Sequence, residues 1–285
     1  MLELILGFAK DDERIRAVVM EGSRVNPNIT KDPFQDYDIV MFVTEVGPFR
    51  HAADVVPHFG EVIVVEEPLA GPWRPADTDG SYHNFNMQLL DGNRIDLVFL
   101  HVDRLKEPLT ESLTAVLLDK DGRIPTLPPP SESSYFITPP TPELYDGCCS
   151  SFYFALGSHI PKTIWRKKLP QLKFYIEGWL RETILLMFSW EIGIRLGWET
   201  SVGAKGRKLE ELLPPETWNE YKKTFVGSDY DEIWESLFLL HQVFRKSADF
   251  VALERGYRFP EEQSAKVWAF LEHVRTLPAD AEQIY

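Results

Sequence analysis

At 285 residues the chain is long enough for one large or two ordinary domains with real cores. Its 44% hydrophobic and 26% charged content is that of a soluble globular protein. A net charge of −14 excludes broad nucleic-acid binding, which wants basic surfaces, and suits attraction of a cationic substrate; acidity that merely aids solubility is the plainer reading. The two cysteines, Cys148 and Cys149, are neighbours, a poor arrangement for a disulfide and too few thiols for a zinc site. A reducing, cytoplasmic setting is expected. The N-terminal stretch has neither a charged leader nor a small-residue cleavage site, and no apolar run could span a bilayer, so no membrane partner is expected.

In chain order, Leu2–Ala9 has helical apolar spacing and Ile15–Met20 reads as a strand. Val25–Gln35, polar and carrying Asn-Pro and Asp-Pro, reads as a loop. Asp36–Val43 is the second strand, Phe49–His58 a short helix and Glu61–Val65 a third strand. Glu67–Tyr82, rich in Pro, Gly and Asp, reads as a loop beside the site. Asn84–Leu90 and Arg94–His101 flank Asp91-Gly92-Asn93, a strong hairpin signal. Val116–Leu118 is a short strand. Seven prolines between Pro125 and Pro142 mark an extended connector between domains. Beyond it, Glu143–Ile160, Leu169–Leu196, Pro215–Phe225, Asp229–Arg255 and Glu261–Leu277 have helical spacing, and Leu180–Trp198 is apolar enough all round to be buried in a bundle.

The chemistry concentrates in Met20–Val43. Asp36 and Asp38, at i and i+2 of the second strand, share a face because side chains alternate with period two. Like charges held that close repel, so the pair makes sense around a divalent cation. Mg²⁺ suits, since it takes one or two carboxylates and completes its shell with water and substrate phosphate oxygens. Gly22-Ser23, after the first strand, permits a tight turn whose hydroxyl and backbone N–H groups could hold phosphates, with Arg24 next to it. The alternative is a turn followed by a surface strand. Asp96, between apolar neighbours on the strand after the hairpin, would cost desolvation unless it joins such a site; a solvent-facing edge position is the other reading. In Thr200–Lys208, glycines beside Lys205, Arg207 and Lys208 form either a basic loop closing on a triphosphate or an ordinary basic surface loop. The seven histidines show no metal-binding spacing.

Gly-Ser, a spacer and Asp-x-Asp between apolar residues is similar to the signature of the nucleotidyltransferase superfamily typified by DNA polymerase beta. Over nearly its whole length the chain resembles the aminoglycoside 6-adenylyltransferases, also called streptomycin adenylyltransferases. The likeness is carried by Ala17–Val43, Asp91–Leu97, Val116–Pro130, Cys148-Cys149, Trp165-Arg166-Lys167, Ser189-Trp190, Ser201–Lys208 and Ile233–Arg245. It implies an α/β nucleotidyltransferase domain with a mixed sheet over residues 1–135 and an all-α, substrate-binding bundle over 136–285. It implies transfer of AMP from ATP to a hydroxyl of streptomycin, and so antibiotic resistance. By position, Asp36 and Asp38 match the metal-binding pair, and Asp96 matches the third metal carboxylate, taken as the general base. Gly22, Ser23, Arg24 and Lys205 match the nucleotide-binding positions. Where the family pattern has Cys-Cys-Asn-Glu-Phe-Trp-Trp, this chain has Cys148-Cys149-Ser150-Ser151-Phe152-Tyr153-Phe154. That change leaves open a different antibiotic or metabolite as acceptor. A nucleotide-binding protein without turnover is the reading from another class.

Overall fold

The computed structural model describes residues 1–67 and 80–285, so most of the expected Glu67–Tyr82 loop lies outside the described residues. The described chain divides into two compact units, Met1–Ser134 and Tyr135–Tyr285.

In the first unit, helix α1 (Leu2–Asp11) is followed by β1 (Ile15–Glu21) and β2 (Tyr37–Val43), then by a broken helical stretch containing α2 (Ala52–Val55). Strands β3 (Val62–Glu66), β4 (Tyr82–Leu89), β5 (Arg94–His101) and β6 (Thr114–Asp119) complete a six-stranded sheet in the order β3-β4-β5-β2-β1-β6. All neighbours run antiparallel except β2 and β5, which are parallel. The hairpin expected from Asp91-Gly92 is present: Gly92 takes φ +91°, and Asp91 accepts a hydrogen bond from the Asn93 backbone N–H at 2.9 Å. Two differences are small. Asp36 stands just before β2 rather than in it, because pairing with β5 starts at Tyr37–Ile95. Phe49–His58 is not one helix: α2 is flanked by 3-10 turns that carry Pro48 and Pro57.

Period-two alternation sorts the strands onto two faces. Val18, Ile39, Met41, Ile95, Leu97 and Phe99 point to one side, where Ile5 and Ala9 of α1 and a Phe49–Phe99 stack (centroids 4.6 Å apart) close the core. Ala17, Val19, Val40 and Phe42 point to the other, packed with Val98, Leu100 and residues from later loops. This second, smaller core is the one that continues along the strands into Glu21, Asp38 and Asp96.

The second unit is helical. Thr141 caps α3 (Pro142–Phe154) by accepting from the Leu144 N–H, with Pro142 in the first turn. α3 runs through a π-turn (Ala155–His159) into α4 (Ile160–Trp165), and α5 (Leu169–Phe174) through a second π-turn (Tyr175–Leu180) into α6 (Arg181–Leu196). The expected Glu143–Ile160 and Leu169–Leu196 helices are therefore continuous, but each carries one wide turn. α7 (Leu209–Leu212), α8 (Pro215–Lys222), α9 (Tyr230–Arg255) and α10 (Glu261–Thr276) follow. The Asp229 carboxylate caps α9 by accepting from the backbone N–H groups of Asp231 and Glu232, and Gly256 ends it in the left-handed region. As expected, α6 is buried: Ile184, Met187, Phe188 and Ile192 are all inaccessible. Phe152 of α3 stacks on Phe244 of α9 at 3.8 Å between centroids. The mixed sheet followed by an all-helical unit is the fold class expected from the sequence. Among the described residues no helix is long and apolar enough to cross a membrane.

Candidate active site

Register brings the acidic residues together. In the parallel β2–β5 pair Asp38 lies abreast of Asp96, and in the antiparallel β1–β2 pair Glu21 lies abreast of Asp38. Residues opposite one another share a face. One row therefore runs Asn86, Asp96, Asp38, Glu21, Thr114 across five strands. Asp36, two residues before Asp38, faces the same guanidinium as Asp96. Asp96 is thus central in the sheet, not at an edge.

Arg94, two residues before Asp96 on β5, ties this row together. Its Nε and Nη2 donate to the two oxygens of Asp96 at 3.0 and 2.8 Å, and its Nη1 reaches Asp36 Oδ2 at 3.5 Å. Asp38 has no such partner among the described residues. Burial first, then repulsion from Asp96 and Asp36, pushes its carboxyl up to about 6. Glu21 is raised to about 6 as well, by burial and by the charges of Glu111 and Asp38. Burial also raises Asp36, against the pull of Arg94.

The turn after β1 fits this row closely. Gly22 has φ +74°, and a Cβ there would lie 2.3 Å from Asp38 Oδ2. The glycine is required both by its backbone conformation and by the carboxylate resting against it. Ser23 follows in a 3-10 turn (Gly22–Val25), its hydroxyl without a hydrogen bond among the described residues. Arg24 donates from Nε to the Asp36 carbonyl (3.0 Å) and from Nη2 to the Gln35 carbonyl (2.7 Å), and covers the Tyr37 ring at 3.6 Å. Two of its donor groups thus fasten the loop that delivers Asp36, and Nη1 makes no hydrogen bond among the described residues.

Asp36, Asp38 and Asp96 line one face without forming a closed cage: among the described residues no three His, Cys, Asp or Glu groups converge to hold a metal. The Arg94 guanidinium instead bridges Asp36 and Asp96. The donors are nonetheless hard oxygens, and Asp38 is an under-compensated one. Mg²⁺ needs only one or two carboxylates when phosphates and water complete its shell, so this donor set fits it.

Lys205 belongs to the helical unit. It is exposed, with φ +53°, in a turn wound by Gly203 (φ +71°) and Gly206 (φ +78°). Gly203 N–H donates to Ser201 Oγ and the Lys208 N–H to the Val202 carbonyl, so the loop is self-contained. A left-handed lysine costs of order 1 kcal/mol or more, a strain that recurs at functional turns. In the altered stretch, Tyr153 is buried, Phe154 is 55% exposed, and Ser151 Oγ accepts from the Trp179 indole N–H at 2.6 Å.

Sequence reading missed Glu21 and Arg94. Glu21 had a signal, an acid ending an apolar strand directly before Gly-Ser. Arg94 had only its i, i+2 spacing from Asp96.

With this geometry established, comparison with known proteins is direct. The family model described as streptomycin adenylyltransferase matches residues 1–274. The chain belongs to that family. An aminoglycoside 6-adenylyltransferase of Campylobacter jejuni is 33% identical over 90% of this chain and 89% of its own length. One from Bacillus subtilis (strain 168) is 32% identical over 92% of each. A crystal structure of an aminoglycoside 6-adenyltransferase from Bacillus subtilis aligns over 97% of this chain and 98% of that one at 26% identity, TM-score 0.49.

Proposed function

We propose that this chain is an adenylyltransferase that moves AMP from ATP to a hydroxyl of an aminoglycoside, streptomycin foremost, and so inactivates the antibiotic. The observation that carries the reading is Asp38 abreast of Asp96 on one face, with Gly22 opened against Asp38. Family membership supplies the reaction type, and the aminoglycoside comes from the names of the relatives.

Asp36 and Asp38 are the residues that would hold Mg²⁺, with Asp96 adjoining. Such an ion would offset the charge of the ATP phosphates and would make a nearby hydroxyl more acidic. Asp96 accepts the proton of the acceptor hydroxyl. The freed oxygen attacks the α-phosphorus, the bond to the bridging oxygen breaks, and pyrophosphate leaves with the electron pair. The Ser23 hydroxyl and the remaining donors of Arg24 hold phosphate oxygens. In this scheme residues 1–135 carry the nucleotide and residues 136–285 the acceptor, in the cytoplasm where ATP is available.

A second reading keeps the chemistry and changes the acceptor. It is favoured by the Ser150–Phe154 stretch, which offers no acid: the Ser151 hydroxyl is engaged by Trp179, and only Phe154 of its aromatics is well exposed. Mass spectrometry after incubation with ATP, Mg²⁺ and a mixed pool of hydroxylated cationic antibiotics tests both. AMP added to streptomycin is expected. AMP added only to another compound moves the acceptor, and ATP binding with no adduct or pyrophosphate overturns the enzyme.

A further inference from the structure

Three carboxylates on one face of a sheet leave a net charge that something must balance before any ligand arrives. The nearest cation is Arg94. Its guanidinium engages both oxygens of Asp96 and reaches Asp36, using the Nε edge for one and Nη1 for the other. This planar fork could not be replaced by lysine without losing one of the two carboxylates. Both oxygens of Asp96 are therefore already occupied by a guanidinium before any ligand arrives. The same fork reaches from Asp96 to Asp36, and among the described residues no three acids converge to hold a metal. Asp38 is left out of the fork, against the bare α-carbon of Gly22.

We propose that Arg94 is the resident counter-cation of this site: it holds Asp36 and Asp96 together while nucleotide is absent, then yields them to a divalent cation and turns its fork to a phosphate oxygen. The inference rests on the adenylyltransferase reading above. Arg94 is suited to the exchange because its side chain is 45% exposed and anchored by no group other than these two carboxylates among the described residues. An arginine fork binds carboxylate and phosphate with the same geometry, so the handover exchanges one bidentate partner for another. Once released, both oxygens of Asp96 are open to new partners. Arg94 is thus a positioning residue, acting on the reaction through Asp96 and Asp36.

The proposal is tested by Mn²⁺ binding to the full chain, followed by electron paramagnetic resonance. Without nucleotide, Arg94→Gln should bind Mn²⁺ about tenfold more tightly than the unaltered chain, because a competing positive charge next to the ion is gone. Arg94→Lys, which keeps the charge but not the fork, should fall between them. With the ion present, Arg94→Gln should bind ATP about tenfold more weakly, having lost the phosphate partner. Equal or weaker Mn²⁺ binding by Arg94→Gln overturns the counter-cation role, and undiminished ATP affinity overturns the handover. If neither chain takes up Mn²⁺ even with ATP, the metal reading of the site falls, and this proposal with it. A merely structural arginine would lower stability and leave metal affinity unimproved, so the sign of the Mn²⁺ shift separates the two roles.

Discussion

The two units treat buried charge in opposite ways. In the helical unit Arg181 is buried and fully engaged: Nε donates to Glu177 at 2.9 Å, Nη1 and Nη2 donate to the Thr224 hydroxyl and carbonyl at 2.7 and 2.9 Å, and the plane covers the Phe225 ring at 3.6 Å. Glu191, also buried, accepts from Arg195 one turn away at 2.9 Å. On the sheet face, Asp38 and Glu21 are partly buried with no ion-pair partner among the described residues, and the charges that act on them most strongly are other carboxylates. A charge with partners holds a fold together. A charge held among its own kind is tolerated for what it can bind.

This contrast predicts that charge removal costs stability in one unit and activity in the other. The largest effect is expected from Asp38→Asn, which should lower pyrophosphate release by about three orders of magnitude or more while leaving the thermal midpoint equal or higher. A drop in midpoint with retained turnover would break the comparison. Next comes Arg181→Met, which removes three hydrogen bonds and the cover over Phe225 but leaves Lys173 beside Glu177 and the Ser236 hydroxyl on the Thr224 carbonyl. It should cost about 2 kcal/mol in urea unfolding. Gly22→Ala forces a side chain into the left-handed region and against Asp38. A loss of about 1–2 kcal/mol is expected, with activity reduced more than stability because the displaced atom is a carboxylate oxygen.

The smallest effect sharpens the contrast through pH. Glu21 has a folded pKa of about 6, above the ordinary value of 4.5. The fold therefore favours its protonated form, and that contribution is complete below the unfolded pKa and lost as pH rises through about 6. Glu21→Gln should accordingly be neutral near pH 4 and stabilise the metal-free chain by about 1 kcal/mol at pH 7, allowing for partial solvent exposure. Urea midpoints of both proteins across that range provide the check. Added Mg²⁺ should narrow the gap if the ion eases repulsion along the row.

What was legible in the sequence was whatever depends on neighbours along the chain. Asp91-Gly92 announced its hairpin, Asp229 its helix, and Asp36-x-Asp38 a shared face. Asp96 was singled out because an acid amid apolar strand residues demands a reason, and the register beside Asp38 gives that residue neighbours of like kind. Features that depend on register were not legible. Whether Arg94 meets Asp36 is set by how β5 aligns with β2, and no local pattern encodes that alignment. The π-turns were hidden for a related reason: one extra residue in a turn leaves apolar spacing nearly unchanged on either side. Arg24 was placed by its neighbourhood to Gly-Ser, and its hold on the Gln35 and Asp36 carbonyls emerged only once the loop had a path.

The parallel pairing of β2 with β5 also bears on how the molecule is made. Parallel strands need a long crossover, and here the whole of α2, β3 and β4 intervenes before Asp96 can align with Asp38. Contacts so distant along the chain form late, after the entropy of closing the intervening segment has been met. The acidic row is consequently assembled after the local β4–β5 hairpin, and an unfinished or partly opened chain lacks it. Nucleotide binding should then report on completed sheet assembly, appearing during refolding only after the strands have registered.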